Sequence, residues 1–172
     1  MLKGQDLVVL AAMLANDGSA PKLPDLSSAV SLGLGPVHRS LSRLEDAGLV
    51  SSRRRAQFAQ ADEFFAHALR YVFPPRMKGE TRGIPTSWAA PPLRERLASP
   101  EESLPLVWAH PSGSARGIEL EPLHAVVPEV ALRSPELYEL LALIDALRSG
   151  DARIRGLAHD ELRKHFVAVG AR

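Results

Sequence analysis

Glycine and proline punctuate residues 26–50, LSSAVSLGLGPVHRSLSRLEDAGLV, so densely that two short helices meeting at a sharp corner are the arrangement this stretch favours. Ala29 is small enough for close packing of the first helix, Gly33 can supply the positive φ of a tight corner, and Leu34 is the side chain expected to fill it. Pro36 suits a first helical position, where its missing N–H costs no bond, and Gly35 before it serves as a permissive cap. From there Val37, Leu41 and Leu44 recur at i, i+4 and i+7, which makes one buried stripe and turns His38, Arg39, Ser42 and Arg43 away from it. Gly48-Leu49-Val50 ends the second helix and leads into Arg53-Arg54-Arg55.

An exposed helix of residues 36–47 with a polar, cationic face is the kind of surface that enters a DNA major groove, its first turns reaching base edges and the rest approaching phosphates. Leu26, Ala29, Gly33, Leu34, the ending Leu44-Glu45-Asp46-Ala47-Gly48-Leu49-Val50 and the basic stretch beyond it resemble the winged helix-turn-helix of bacterial regulators of the MarR type, over the first third of the chain. The resemblance implies a sequence-specific DNA-binding transcriptional regulator, homodimeric, that reads a palindromic operator in double-stranded DNA. Gly35, Pro36, His38, Arg39, Ser42 and Arg43 would then lie at bases and phosphates, with Arg53, Arg54 and Arg55 clamping the backbone through their guanidinium forks. The wing is expected to be truncated, because Ser51 to Gln57 leaves room only for a stub before helical periodicity resumes.

The N-terminal unit, residues 1–57, is completed by an opening helix in which Leu7, Leu10, Ala11 and Leu14 share a face, stopped at Asn16-Asp17-Gly18. A bridging helix of residues 58–75 follows, with Phe58, Ala61, Phe65, Leu69 and Val72 at helical spacing and Phe64 and Tyr71 widening the band until Pro74-Pro75 stops it. Phe58, Phe65 and Leu69 are candidates for a contact between protomers. Residues 76–172 form a third, α+β unit. Its first part is a proline-rich connector containing Pro85, Pro91, Pro92, Pro100 and Pro105, which excludes a long helix or a central strand. Ile84, Trp88, Leu93 and Leu97 are too apolar for a free tether, so the connector is expected to lie ordered on the body, with a short helix at Pro92 to Leu97. Leu104 to Ala109 and Ile118 to Leu123 read as a small β-hairpin around His110-Pro111-Ser112-Gly113-Ser114.

Ser134-Pro135-Glu136 then opens a strong helix with Leu137, Leu140, Leu141, Ile144 and Leu147 on one side, closed by Gly150. Asp151 caps a second, carrying Ile154, Leu157, Ala158, Leu162 and Phe166, so the pair makes a helical hairpin. Tyr138 and Leu143 fall off the main stripe and offer either a face for another subunit or a partner protein, or further surface for burial within the monomer. His67-Ala68-Leu69-Arg70-Tyr71-Val72-Phe73-Pro74 and Pro135 to Leu141 resemble bacterial regulators that look like antitoxin or defence-operon components, which implies an alternative role as a protein-interaction module. The fold class expected is therefore mainly α.

The near-neutral balance of 21 basic and 20 acidic residues confines any nucleic-acid contact to a local patch, which the first 55 residues supply. Without cysteine there is no disulfide framework, thiolate nucleophile or cysteine-ligated zinc. The six histidines show no HExxH spacing, and neither GxxxxGK[ST] nor GxSxG occurs, so no catalytic residue, metal or cofactor is expected. His159-Asp160-Glu161 are adjacent on one helix, point in different directions and read as solvated surface. No apolar run approaches 18 residues, and the expected setting is the cytoplasm, away from any membrane.

Overall fold

A computed structural model of the chain describes residues 1–97 and 103–170, with side chains as far as Phe166. The fold is mainly α with a small three-stranded sheet: α1 (Gly4–Ala15), α2 (Leu23–Val30), α3 (Leu34–Asp46), α4 (Phe58–Glu63), α5 (Leu69–Val72), β1 (Met77–Pro85), β2 (Leu106–Ala109), β3 (Ala115–Leu120), α6 (Val127–Arg133), α7 (Pro135–Ser149) and α8 (Ala152–Gly170). Among the described residues no helix is long and apolar enough to cross a membrane.

The corner between α2 and α3 is built differently from the sequence expectation. Ser31, not Gly33, takes the left-handed conformation, at φ +53°, while Gly33 is an extended N-cap at φ −64°. The helix begins at Leu34, so Gly35 and Pro36 occupy its first turn, where a missing N–H is equally harmless. Leu34 is exposed and Leu32 packs against the core in its place; Ala29 is exposed too, and Leu26 and Val30 provide the buried face of α2. Val37, Leu41 and Leu44 are buried as their spacing requires. Gly48, at φ +73°, lets the Leu49 N–H return to the Leu44 carbonyl at 2.9 Å.

The bridging helix runs through a wider turn, Phe64–Ala68, in which the Leu69 N–H reaches the Phe64 carbonyl five residues back. Phe65 and Leu69 are fully enclosed in the protein's own core, and Phe58 packs on Phe166 with ring centroids 5.5 Å apart. These three side chains therefore spend their apolar surface internally, and the large apolar side chains the segment exposes are Tyr71 and Val72.

The connector holds the central strand of the sheet. Pro74 and Pro75 stand before β1, Pro85 is its last residue and the other prolines follow it, leaving Met77 to Ile84 free to donate. β1 pairs antiparallel with both β2 and β3, and these two pair in parallel through Leu106–Ile118 and Val107–Glu119, which closes the three strands into a ring rather than the expected hairpin. The ring is tight enough that a Cβ on Gly83 or Gly113 would collide with neighbouring backbone. Short 3-10 turns at Ser87–Ala89 and Leu93–Glu95 seat Ala89 and Leu93 in the interior, with Trp88 half-buried above them. Pro100, expected in the connector, lies with residues 98–102 outside the described range.

At the centre sits α7. Ser134 accepts from the Leu137 N–H and caps it, and every residue from Leu140 to Arg148 is buried, so this is a helix enclosed on all sides rather than one with a single stripe. It packs against α1, α5, α6, α8 and the Ser87–Ala89 turn, and Asp151 caps α8 through the Ile154 N–H at 2.9 Å. One continuous apolar core takes residues from all three expected units.

Candidate functional site

The surface of α3 divides sharply. On its inner side Ser40 is buried together with the apolar stripe and accepts from Gln5 Nε2 at 2.9 Å. On its flank Arg43, expected to face DNA, turns back on α1. Its Nε and Nη2 donate to the two carboxylate oxygens of Asp6 at 2.8 and 2.6 Å, and the Lys3 N–H donates to the same carboxylate at 2.7 Å. Asp6 is wholly enclosed. The hydrogen bond to Asp6 pushes the pKa of the Arg43 guanidinium further up, against a smaller desolvation cost and with the help of the opposite charge. Arg43 is thus a strut between α3 and α1. The sequence carries a signal for this: Asp6 lies four residues before Leu10 on the apolar stripe of α1, a place where a carboxylate survives only with a partner.

The outer side carries Gly35, His38, Arg39 and Ser42, all exposed, and Pro36, half-buried, whose carbonyl takes a long bond from Gln5 Nε2 at 3.4 Å. No described side chain pairs with His38, Arg39 or Ser42, and all three remain exposed. Glu45 and Asp46 are exposed at the far end of the same helix, so its cationic character belongs to the first turns, about 10 Å from that end at 1.5 Å per residue.

The segment after α3 turns tightly. Ser51 N–H donates to the Arg55 carbonyl and Arg54 N–H to the Ser51 carbonyl, each at 2.8 Å, with Arg54 at φ +55°. Single bridges join Val50 to Ala56 and Ser19 to Arg55, so the turn is held between the end of α3 and the link from α1 to α2. Arg53 and Arg54 project into solvent, and no described side chain pairs with them. Arg55 is exposed as well, with Nη1 donating to Ser19 Oγ at 3.1 Å.

A second polar cluster is interior. Asp145 Oδ2 accepts from Trp108 Nε1 at 2.6 Å and Thr86 Oγ1 at 2.9 Å, while Oδ1 accepts from Arg148. Burial pushes its carboxyl above the ordinary range, opposed by Arg148 and by those donors. Every buried side-chain polar atom among the described residues has a partner, so this cluster ties β2, α7 and the Ser87–Ala89 region together and offers no free ligating atom. Tyr138, expected to meet a partner, donates to the Pro85 carbonyl at 2.6 Å beside the Trp108 ring; burial raises its hydroxyl to about 12, with Arg94 pulling the other way, and Leu143 is fully buried. Likewise His159 and Glu161 are engaged, His159 with Asp62 at 2.7 Å and Glu161 with Arg96 and Lys164. Among the described residues no group of His, Asp and Glu is arranged to hold a metal ion. The chain matches no family model, no curated protein and no solved structure.

Proposed function

We propose that this protein is a sequence-specific DNA-binding regulator, working as a homodimer in the cytoplasm, in which α2, the Ser31 corner and α3 form a helix-turn-helix and the Ser51–Arg55 turn is the truncated wing of a MarR-type domain. The observation that carries the reading is the outer face of α3, where His38 and Arg39 in the second turn and Ser42 one turn further stand in solvent without partners among the described residues. Arg39 is the candidate for bidentate base readout, His38 and Ser42 for base-edge or phosphate bonds, and Gly35 leaves room for the close approach of a strand. Arg53 and Arg54 would hold the phosphate backbone, with Arg55 sharing its charge between phosphate and Ser19. The acidic end of α3 at Glu45 and Asp46 would repel phosphates, which favours entry of the groove by the first turns alone. The strut from Arg43 to Asp6 supports the reading indirectly, since it fixes the angle at which α3 leaves the body.

Selection of bound duplexes from a random pool tests this. The proposal expects a palindromic consensus whose half-sites lie about one helical turn apart; a pool that stays random through repeated rounds contradicts it.

A further inference from the structure

A cavity of about 360 Å³ opens between the end of β1, the turn before β3, α6 and α7. Its walls combine Ile84, Leu132 and Tyr138 with Arg94, Ser112 and Ser114. Arg94 also borders a neighbouring cavity of about 250 Å³, so its charge stands between two hollows. It is exposed and has no ion-pair partner among the described residues. Tyr138, the one lining residue with an acidic side chain, donates its hydroxyl to the Pro85 carbonyl and stays neutral across the physiological range. A hollow of mixed lining, aliphatic at Ile84 and Leu132 and polar at Arg94 and the two serines, suits a small organic anion with an apolar chain, the carboxylate taking the Arg94 fork and the chain lying on Leu132 and Ile84.

The helix at the rim of the cavity also touches the corner between α2 and α3. Leu132, half exposed at its rim, is followed on the seven-residue α6 by Arg133, whose Nη2 donates to the Ser28 carbonyl at 3.4 Å and to the Ser31 hydroxyl. Ser31 is the left-handed residue at the corner that aims α3, a conformation a serine holds only when its surroundings fix it. We propose that this cavity binds a medium-chain carboxylate and that filling it seats α6 and, through Arg133, steadies the corner between α2 and α3. The effect of that steadying on operator binding rests on the DNA-binding reading above; the site and its link to the corner do not.

Calorimetric titration of the full chain with octanoate tests the site. Saturable one-to-one binding is expected, with octan-1-ol and acetate each at least about tenfold weaker, and Arg94→Gln weaker than wild type by about tenfold at an unchanged melting temperature. Amide hydrogen exchange read on the same samples tests the link: octanoate slows exchange at residues 31–34 in the wild type, and Arg133→Gln keeps octanoate affinity while losing that protection. Absence of saturable binding, or binding unaffected by Arg94→Gln, overturns the site, and unchanged exchange at residues 31–34 overturns the link. With a selected duplex, octanoate tightens binding about fivefold. A chain that takes octanoate through Arg94 and protects its corner yet binds no duplex upholds this inference while removing the regulator.

Discussion

Three arginines that look alike in the sequence have different employments. Arg39 is in solvent, Arg55 is tied loosely to Ser19, and Arg43 is locked to an enclosed carboxylate. Asp6→Asn removes the charge that holds Arg43, and is expected to lower stability by about 2–3 kcal/mol, read as a shift in the urea midpoint. Asp145→Asn should cost about 3 kcal/mol in the same assay, because it leaves Arg148 buried without its counter-ion. Tyr138 supplies a pH signature. Its folded value of about 12 lies above the ordinary 10, so its contribution is intact below pH 10 and is lost as pH climbs from 10 towards 12. Tyr138→Phe should flatten that part of the stability profile, measured by urea unfolding at stepped pH. The outward or inward direction of His38, Arg39, Ser42, Val37 and Leu41 was legible from period alone; the fate of Arg43 was not, because it depends on a carboxylate 37 residues away in sequence.

Among the elements, those with strong local punctuation were legible: Ser134-Pro135 opening α7, Asp151 opening α8 and Gly48 closing α3. β1 escaped because its first residues are exposed on both faces and carry no alternation, while its prolines, standing only at the borders, read as a uniform linker. α6 escaped because it is one short stretch, although Pro128 in its first turn was a usable sign. The ring of strands depends on missing side chains. Gly113→Ala would drive a methyl group into the backbone of Gly83, which cannot give way, and should destabilise the protein by more than about 3 kcal/mol in thermal or urea unfolding. Gly48→Ala, with open space around it and only the positive φ to oppose, should cost about 1 kcal/mol.

At the scale of the whole molecule, α1 and α7 are the shared interior, and the division expected at residues 57 and 75 does not divide the core. Far-ultraviolet circular dichroism and the fluorescence of buried Trp108 should therefore report the same unfolding midpoint. A chain cut after residue 75 should lack a cooperative transition, since the enclosed face of α1 would lose α7. This core holds one face of α3 and leaves the other to solvent, and that second face is the centre of the account. The most direct test is the salt dependence of affinity for a selected duplex, measured for the wild type, Arg39→Ala and Arg43→Ala at matched folded fraction. The account predicts that Arg39→Ala flattens the slope of log affinity against log salt by about one unit and weakens binding, while Arg43→Ala leaves the slope unchanged. A slope that ignores Arg39, or falls with Arg43 instead, would contradict it.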